Sequence, residues 1–530
     1  PSIWPPDPAT SAEQLIAGPA RSGSNSAAVA AVRSASGAAM IASDPHLAVR
    51  LPNVWLIAGL HAPGLHAVGL MLAGFPFVAL GRNPWIAWGG TNLHAASSEL
   101  FDLSGLPPDA FREREATVRV RWGRPRRLRL RETDLGPVVS DGGLLRNPAP
   151  LALRWVGHRP SDEIGAMLGV NRARDWEGFS RALAGFAVPG QTMVYAGIDG
   201  RVGRLTAAHL PRRDPADPAD LVTHPAAAWP LDGLADTTGL PRDFDPSRGF
   251  VVSANERPPA AFPVGYFFSS GARAARLAQL IEAAGRVSAA DLERLQRDVQ
   301  QPRALPLRDF LLTRVPSPPN GWGAARRRAV AALAAWDGSY AAGSEGALVM
   351  EIVLARLARS LGLAPFQTMW SAPSRLAREI MAIPPHALVP LLGDALARAA
   401  RGLRAHRSWG GMHRLVLAHH LALLPLLGRR FVYGSFPAEG SNETLHKTGH
   451  AITARRHSVS FGSCARHISD LADPDANRFV LLGGQDGWPG SANFLDQVPL
   501  WRAGAYIGVP LRPETARTRF PHLTMLQPAR

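Results

Sequence analysis

From Ser24 onward the chain is cut into short apolar runs, SAAVAAV, AAMIA, VWLIAGL, HAVGLMLA, PFVALG and WIAWGG, separated by Gly and Pro. Runs of this length between turn residues predict β-strands, and their close succession predicts stacked antiparallel sheets in preference to a βαβ array. Helical signals come later. Ser288 and Asp291 stand three apart before the amphipathic run LERLQRDV, which predicts a capped helix start. Residues 324–336, 348–361 and 390–403 also carry helical periodicity, and after about Arg430 the chain returns to strands and Gly-rich turns ending in GGQDGWPGS and LWRAGAY. With no tandem repeat and no long internal linker, the pattern predicts one intertwined α+β domain.

Residues 1–23 are rich in Pro, Ala, Ser and Gly, offer only a short helical possibility around 11–17, and read as a linker. Pro1 follows no initiator Met and opens no signal-peptide pattern, so the chain reads as the downstream part of something longer. No run of 18 uninterrupted apolar residues occurs; residues 415–427 come nearest but contain His419, His420 and Pro425. The expectation is a protein without membrane insertion.

The 530 residues are 46% hydrophobic and 19% charged, with 51 Gly and 47 Pro, the profile of a loop-rich globular chain. A net charge of +16, nearly all of it from arginine, raises nucleic acid as a partner. The arginines are dispersed and no nucleic-acid motif accompanies them, so that partner is set aside. The densest stretch, VRVRWGRPRRLRLRE at 118–132, alternates apolar and Arg positions about a Gly-Arg-Pro turn and predicts a hairpin with one solvated face. Cys464 is the only cysteine, which rules out an internal disulfide; it reads as a packed small residue at a strand start.

Eleven segments, taken in order, resemble the penicillin acylase family of N-terminal nucleophile hydrolases over nearly the whole chain from Ser24. They are GSN (23–25), SDPHL (43–47), GLHAPG (59–64), LGRNPWIAWGGTN (80–92), YAGIDGRVG (195–203), SANERP (253–258), GARAARL (271–277), DLERLQRDV (291–299), WDG (336–338), GGQDG (483–487) and LWRAGAY (500–506). The resemblance implies a four-layer αββα fold with two stacked antiparallel sheets and helical insertions. It also implies that the Gly23–Ser24 bond is cleaved autocatalytically. Residues 1–23 are then a spacer removed on maturation, and 24–530 form a β-subunit-like catalytic domain.

A serine hydroxyl is a poor nucleophile without a base. An N-terminal serine carries its own, an α-amine with a reference pKa of about 7.7–8.0. Gly23, lacking a Cβ, permits close approach at the cleavage site. By resemblance the oxyanion is held by the side-chain amide of Asn255 and the backbone N–H of Asn92, donors of the kind acyl transfer requires. His46 falls at the family position bordering the nucleophile. Arg273 falls near the active-site arginine that orients the catalytic Asn, with Arg276 as the competing choice. Read without the family, Asn255 is a turn residue and His46 a lone histidine.

Leu47, Ala79 and Leu80 take positions that line the family's acyl pocket, and the absence of aromatics there implies an aliphatic acyl chain. The implied substrate is a small N-acyl amide such as a β-lactam antibiotic with an acyl side chain or an acyl-homoserine lactone. Many members bind Ca²⁺ through carboxylates just after the WGxTN motif. Here that segment is LHAASSE, with Ala96 in place of an aspartate and Glu99 as a possible remnant; Tyr266 falls where another acid belongs. The expectation is that no cofactor is required and the calcium site is lost. His94, His61 and His66 lack zinc-site spacing and read as surface or packing residues. Family precursors place a helical α-subunit upstream that completes the acyl pocket, so an α-subunit from a missing or separate segment is the expected partner. The compartment stays open between bacterial periplasm and cytoplasm. The alternative function is a non-catalytic family member that binds or scaffolds.

Overall fold

The computed structural model describes residues 23–142, 149–213, 222–225, 228–266, 268–315, 321–360, 362, 372–459 and 461–527. The linker expected over residues 1–22, with its helical possibility at 11–17, lies outside the described residues, whereas Gly23 is already the first residue of a strand. The early apolar runs become β1 (Gly23–Val29), β2 (Met40–Ala48), β3 (Trp55–Ala62), β4 (Leu65–Leu72), β5 (Leu80–Arg82) and β6 (Ile86–Asn92).

Two antiparallel sheets carry the architecture. The first runs in the order Phe250–Ser253, β1, β2, Ala465–Asp470, Asn477–Leu481, Ile507–Gly508, with Phe461–Ser463 also pairing β2 and Thr448–Gly449 beyond it. The second runs Arg242–Phe244, Val202–Ala207, Gln191–Gly197, β6, β5, β4, β3. Alternate residues of a strand face opposite sides, and β1 and β2 use both. Ala28 and Ile41 pack with Ala87, Val194, Ala196 and Val202 of the second sheet. Ala27, Val29, Met40 and Ala42 face outward against Leu277, Ile281 and Leu292 of the helices Ala272–Ala284 and Ala289–Leu295. The helices Glu163–Arg172 and Trp176–Leu183 cover the other side of the second sheet through Met167, Val170, Phe179 and Leu183. The layers are therefore αββα, as expected.

The predicted capping box is present, with Ser288 Oγ accepting from Asp291 N and Asp291 Oδ2 accepting from Ser288 N. Later periodic segments form the helices Ala324–Ala334, Glu345–Ser360 and Pro385–His406, the last accommodating Pro390 in its first turns. Three details correct the sequence pattern. Helices appear before residue 288, at 163–172 and 176–183, begun by Asp162 and Asp175, whose carboxylates accept from Gly165 N and Gly178 N at 2.7 Å. The LWRA of the final motif is helical, within Val498–Ala503, and ends at Gly504 with φ +72°. The basic hairpin pairs Arg112–Val118 with Arg126–Thr133, so residues 119–121 belong to its loop and not to a strand arm. That loop contains Pro125, which has no N–H for a ladder.

Candidate active site

Strand alternation puts Ser24 and Ser26 on the same side of β1 as Ala28, facing the second sheet. The sheets meet closely here because β6 offers Gly89. A Cβ on it would stand 2.6 Å from Ser26 Oγ and 2.9 Å from Ser43 Oγ. Thr91 and Ser253 hydroxyls bridge the layers at 2.7 Å. The register Ser26↔Ser253, continued two residues, sets Asn255 opposite Ser24. Asn255 leaves the strand with φ +66°, a left-handed conformation that Asn tolerates better than most residues.

Ser24 N donates to Asn255 Oδ1 at 2.8 Å, and Asn255 Nδ2 donates to Asn92 O at 2.9 Å. Ser24 Oγ donates to the Gly23 carbonyl oxygen at 2.5 Å, so the hydroxyl lies against the preceding peptide group. Arg273, buried on the helix Ala272–Ala284, ties the cluster together. Its Nη1 donates to Ser24 O (2.8 Å) and Asn25 Oδ1 (2.7 Å), and its Nη2 to Ala254 O (2.7 Å), Asn255 Oδ1 (2.9 Å) and Ser269 Oγ (3.2 Å). Burial lowers the Arg273 pKa to about 10. Arg276, one turn on, forks onto Asp298 at 2.7 and 3.1 Å, outside this cluster. Of the two candidate arginines, Arg273 is the one at Ser24.

His46 pairs with Gly23 across β1 and β2. Its Nε2 is 2.8 Å from Asp44 Oδ2, and Nδ1 has no hydrogen-bond partner among the described residues. Burial, then the charge of Arg273, drives the His46 pKa well below its ordinary value; burial raises that of Asp44. Leu47, Ala79 and Leu80 lie in one apolar cluster with Trp55, Val68, Leu70 and Phe479. Beside Asn92 opens a cleft of about 390 Å³, lined also by His94, Ala95, Trp155 and Gly190.

The remaining candidates resolve individually. His61 and His66 stack edge to face at 4.7 Å across the β3–β4 hairpin, and His66 Nε2 meets Leu511 O at 2.7 Å. His94 is half-buried, adopts φ +56°, and has its pKa lowered to about 4 by burial and by Lys447 and Arg273, which places it, of the surface and packing roles expected, as a packing residue beside the site. Cys464 is buried, its thiol pushed up to about 12 by desolvation, in keeping with a packed residue. The residues available do not fit the family's calcium ion. Ala96 offers no side-chain oxygen, and the Glu99 carboxylate is engaged by Arg213 Nε at 2.7 Å and by Trp229 Nε1. Among the described residues no group of three or more His, Cys, Asp or Glu is arranged to hold a metal.

Three residues at the site went unassigned from sequence. Asn25 bridges Arg273 to the Leu445 carbonyl, which accepts from Asn25 Nδ2 at 2.8 Å; Asp44 partners His46. Both sit inside the GSN and SDPHL motifs, and alternation could have placed them. The third is Lys447, buried, with its pKa lowered to about 7 by burial and by Arg273. It is the only lysine in 530 residues, every other cationic chain being arginine, and that singularity was its one signal.

Two antiparallel sheets between helical layers, with a serine near the head of the first strand, define the N-terminal nucleophile hydrolase fold. A thermostable penicillin G acylase from Alcaligenes faecalis has this architecture, matching at a TM-score of 0.68 over 96% of this chain and 100% of its own, with 17% identity. The chain belongs to the penicillin amidase family, whose model matches residues 2–518. It is 25% identical to the penicillin acylase 2 proenzyme of Pseudomonas sp. (strain SE83), over 90% of this chain and 66% of that protein. It is also 25% identical to the acyl-homoserine lactone acylase QuiP of Pseudomonas aeruginosa, over 93% of this chain and 67% of that protein. The chain thus spans about two thirds of the length of these relatives. No helix among the described residues is long and apolar enough to cross a membrane.

Proposed function

We propose that the protein is a self-processing acylase that hydrolyses the amide bond of N-acyl compounds with Ser24 as nucleophile. The observation that carries this reading is the Ser24 hydroxyl lying 2.5 Å from the Gly23 carbonyl oxygen, with its own N–H and C=O held by Asn255 and Arg273. In maturation Ser24 Oγ attacks the Gly23 carbonyl carbon, the C–N bond breaks, and the proton ends on the Ser24 nitrogen. Water then hydrolyses the ester, leaving the Gly23 carboxylate and a free Ser24 α-amine.

In turnover Ser24 Oγ attacks the substrate carbonyl while the α-amine takes the hydroxyl proton, directly or through one water, and passes it to the departing amine. Water deacylates the enzyme. Asn255 Nδ2 and the Asn92 backbone N–H are the oxyanion donors of this scheme, and Arg273 positions Asn255. Acyl-homoserine lactones and β-lactams with acyl side chains are the substrate classes suggested by the relatives' names. Leu47, Ala79 and Leu80 favour an aliphatic chain. No metal takes part, and an upstream helical α-subunit that completes the acyl pocket belongs to the same proposal.

Intact-mass analysis of the protein, purified together with its upstream α-subunit, tests it. A new N-terminus at Ser24, lost in Ser24→Ala together with turnover of chromogenic acyl amides, is the expected result. A chain that persists uncleaved and turns over no amide in the panel overturns the proposal in favour of a non-catalytic binding or scaffold role.

A further inference from the structure

Gly23 is the acyl half of the Gly23–Ser24 bond, so its surroundings report on what the acyl α-carbon meets. A Cβ built on Gly23 would stand 3.3 Å from Lys447 Nζ, 3.4 Å from His46 Nδ1 and 3.4 Å from Phe461 Cε1. Two ring or amine nitrogens thus converge on one small volume against the edge of an aromatic ring. Both side chains are at least nine-tenths buried, Lys447 at 5% and His46 at 0% exposure. His46 Nδ1 has no partner among the described residues, while Nε2 is held by Asp44. Lys447 is carried there by the segment whose Leu445 carbonyl is fixed by Asn25 and whose own carbonyl accepts from Ser463 N at 3.2 Å.

A methyl group at that point is crowded. An oxygen stands at the outer edge of hydrogen-bond range, which for N–H···O is about 2.7–3.2 Å, and a movement of a few tenths of an ångström brings it within reach of both nitrogens. Lys447 Nζ is a donor only, lying over the Phe461 ring with the charge of Glu443 acting on it. His46 Nδ1 is donor or acceptor according to tautomer. A hydroxyl accepts from the first and either donates to or accepts from the second. In the tautomer whose Nε2–H donates to Asp44, Nδ1 is an acceptor, which an oxo group leaves unmet because it cannot donate; an ammonium would be repelled by Arg273 and Lys447.

When Ser24 Oγ carries a substrate acyl group in place of Gly23, the acyl α-carbon takes the position of Gly23 Cα. We infer that Lys447 Nζ and His46 Nδ1 form a two-nitrogen clamp for a hydroxyl on that carbon, which makes amides of 2-hydroxy acids the favoured substrates. The inference rests on the acylase reading above and adds the substituent that the site recognises. If the acyl chain follows the path of the Gly23 nitrogen while the hydroxyl takes the Cβ position, the configuration selected is R.

Calorimetry on the mature protein, cleaved at Ser24, tests the clamp without turnover, using (R)-2-hydroxyoctanoate, its S enantiomer and octanoate as product probes. The expected result is binding of the R acid about tenfold tighter than octanoate, the magnitude of one hydrogen bond to a charged or buried polar group. Lys447→Met brings the two acids to within about twofold, and Lys447→Arg, which keeps a donor, retains part of the preference. Equal binding of the R acid and octanoate by the wild-type protein, or no binding of either, overturns the clamp. Turnover of the three corresponding anilides reads the parent proposal separately. Hydrolysis of all three at equal kcat/KM leaves the acylase standing and removes the clamp, whereas selective binding without any hydrolysis does the reverse.

Discussion

Arg273 and Asn255 are joined by a 2.9 Å hydrogen bond that fixes which end of the Asn255 amide faces Ser24. With Oδ1 accepting from both Arg273 and Ser24 N, the Nδ2 donor is turned toward the Asn92 carbonyl. A guanidinium can only donate, so the arginine sets the orientation of the amide as well as its position. Arg273→Leu removes five donated bonds and leaves buried acceptors at Ser24, Asn25, Ala254 and Asn255 without it. Each such group costs about 1–3 kcal/mol. The expected outcome is a chain that matures slowly or not at all, followed by mass spectrometry over time, while Arg276→Ala, which loses the Asp298 fork and the Gln279 hydrogen bond outside the site, matures normally.

Asn255→Gly is the cleaner probe of the oxyanion donor. Gly adopts φ +66° at no steric cost, so the backbone is kept while the amide is lost. Removal of one such donor typically lowers kcat by about 10²–10³-fold, and a fall of that size is expected together with a lowered melting temperature, because Ser24 N and Arg273 lose the Asn255 Oδ1 acceptor. A variant with unaltered kcat excludes Asn255 as a donor.

Gly89 permits the two sheets to meet under the nucleophile. Gly89→Ala places a methyl 2.6 Å from Ser26 Oγ and 2.9 Å from Ser43 Oγ, so that both hydroxyls must turn away or β1 and β2 must move off β6. Overpacking of this kind costs about 1–3 kcal/mol. Thermal unfolding reads the loss, and because β1 carries Ser24, maturation slows in the same variant.

Stability falls in acid. Burial depresses the pKa of both His446 and His467 to about 3, whereas the unfolded chain titrates near 6.5. The unfolded state therefore binds more protons between these values. Stability from the neutral folded imidazoles is complete above pH 6.5 and is lost as the pH falls toward 3, by up to about 1.4 kcal/mol per pH unit for each group. Urea midpoints that drop between pH 6.5 and 4 agree with this; midpoints flat across that interval contradict it.

Much of the layered fold was legible because strand alternation and turn residues are local. β1 to β6 and the Ser288–Asp291 capping box follow from neighbours in sequence. The short helices at 163–172 and 176–183 were missed although each begins at an Asp whose carboxylate caps it, since eight to ten residues give the apolar period little room to show. The site residues were reached only through the order of the family's motifs. Composition and spacing alone leave Asn255 in a turn and His46 unpaired.

The sequence by itself determined that short strands would stack in antiparallel sheets, that Ser24 and Ser26 would share a face with Ala28, and that Gly23 would leave room beside the nucleophile. Tertiary structure decided the rest. It chose Arg273 over Arg276, because the two share a helix face and only the first turn of the helix Ala272–Ala284 reaches Ser24, while Arg276, a turn further on, meets Asp298. It gave His46 its Asp44 partner and committed Glu99 to Arg213. It also brought Lys447, more than four hundred residues away in the chain, to Gly23. Local pattern fixes which way a side chain points from its own strand, whereas its partner depends on which distant segment the packing of layers delivers there.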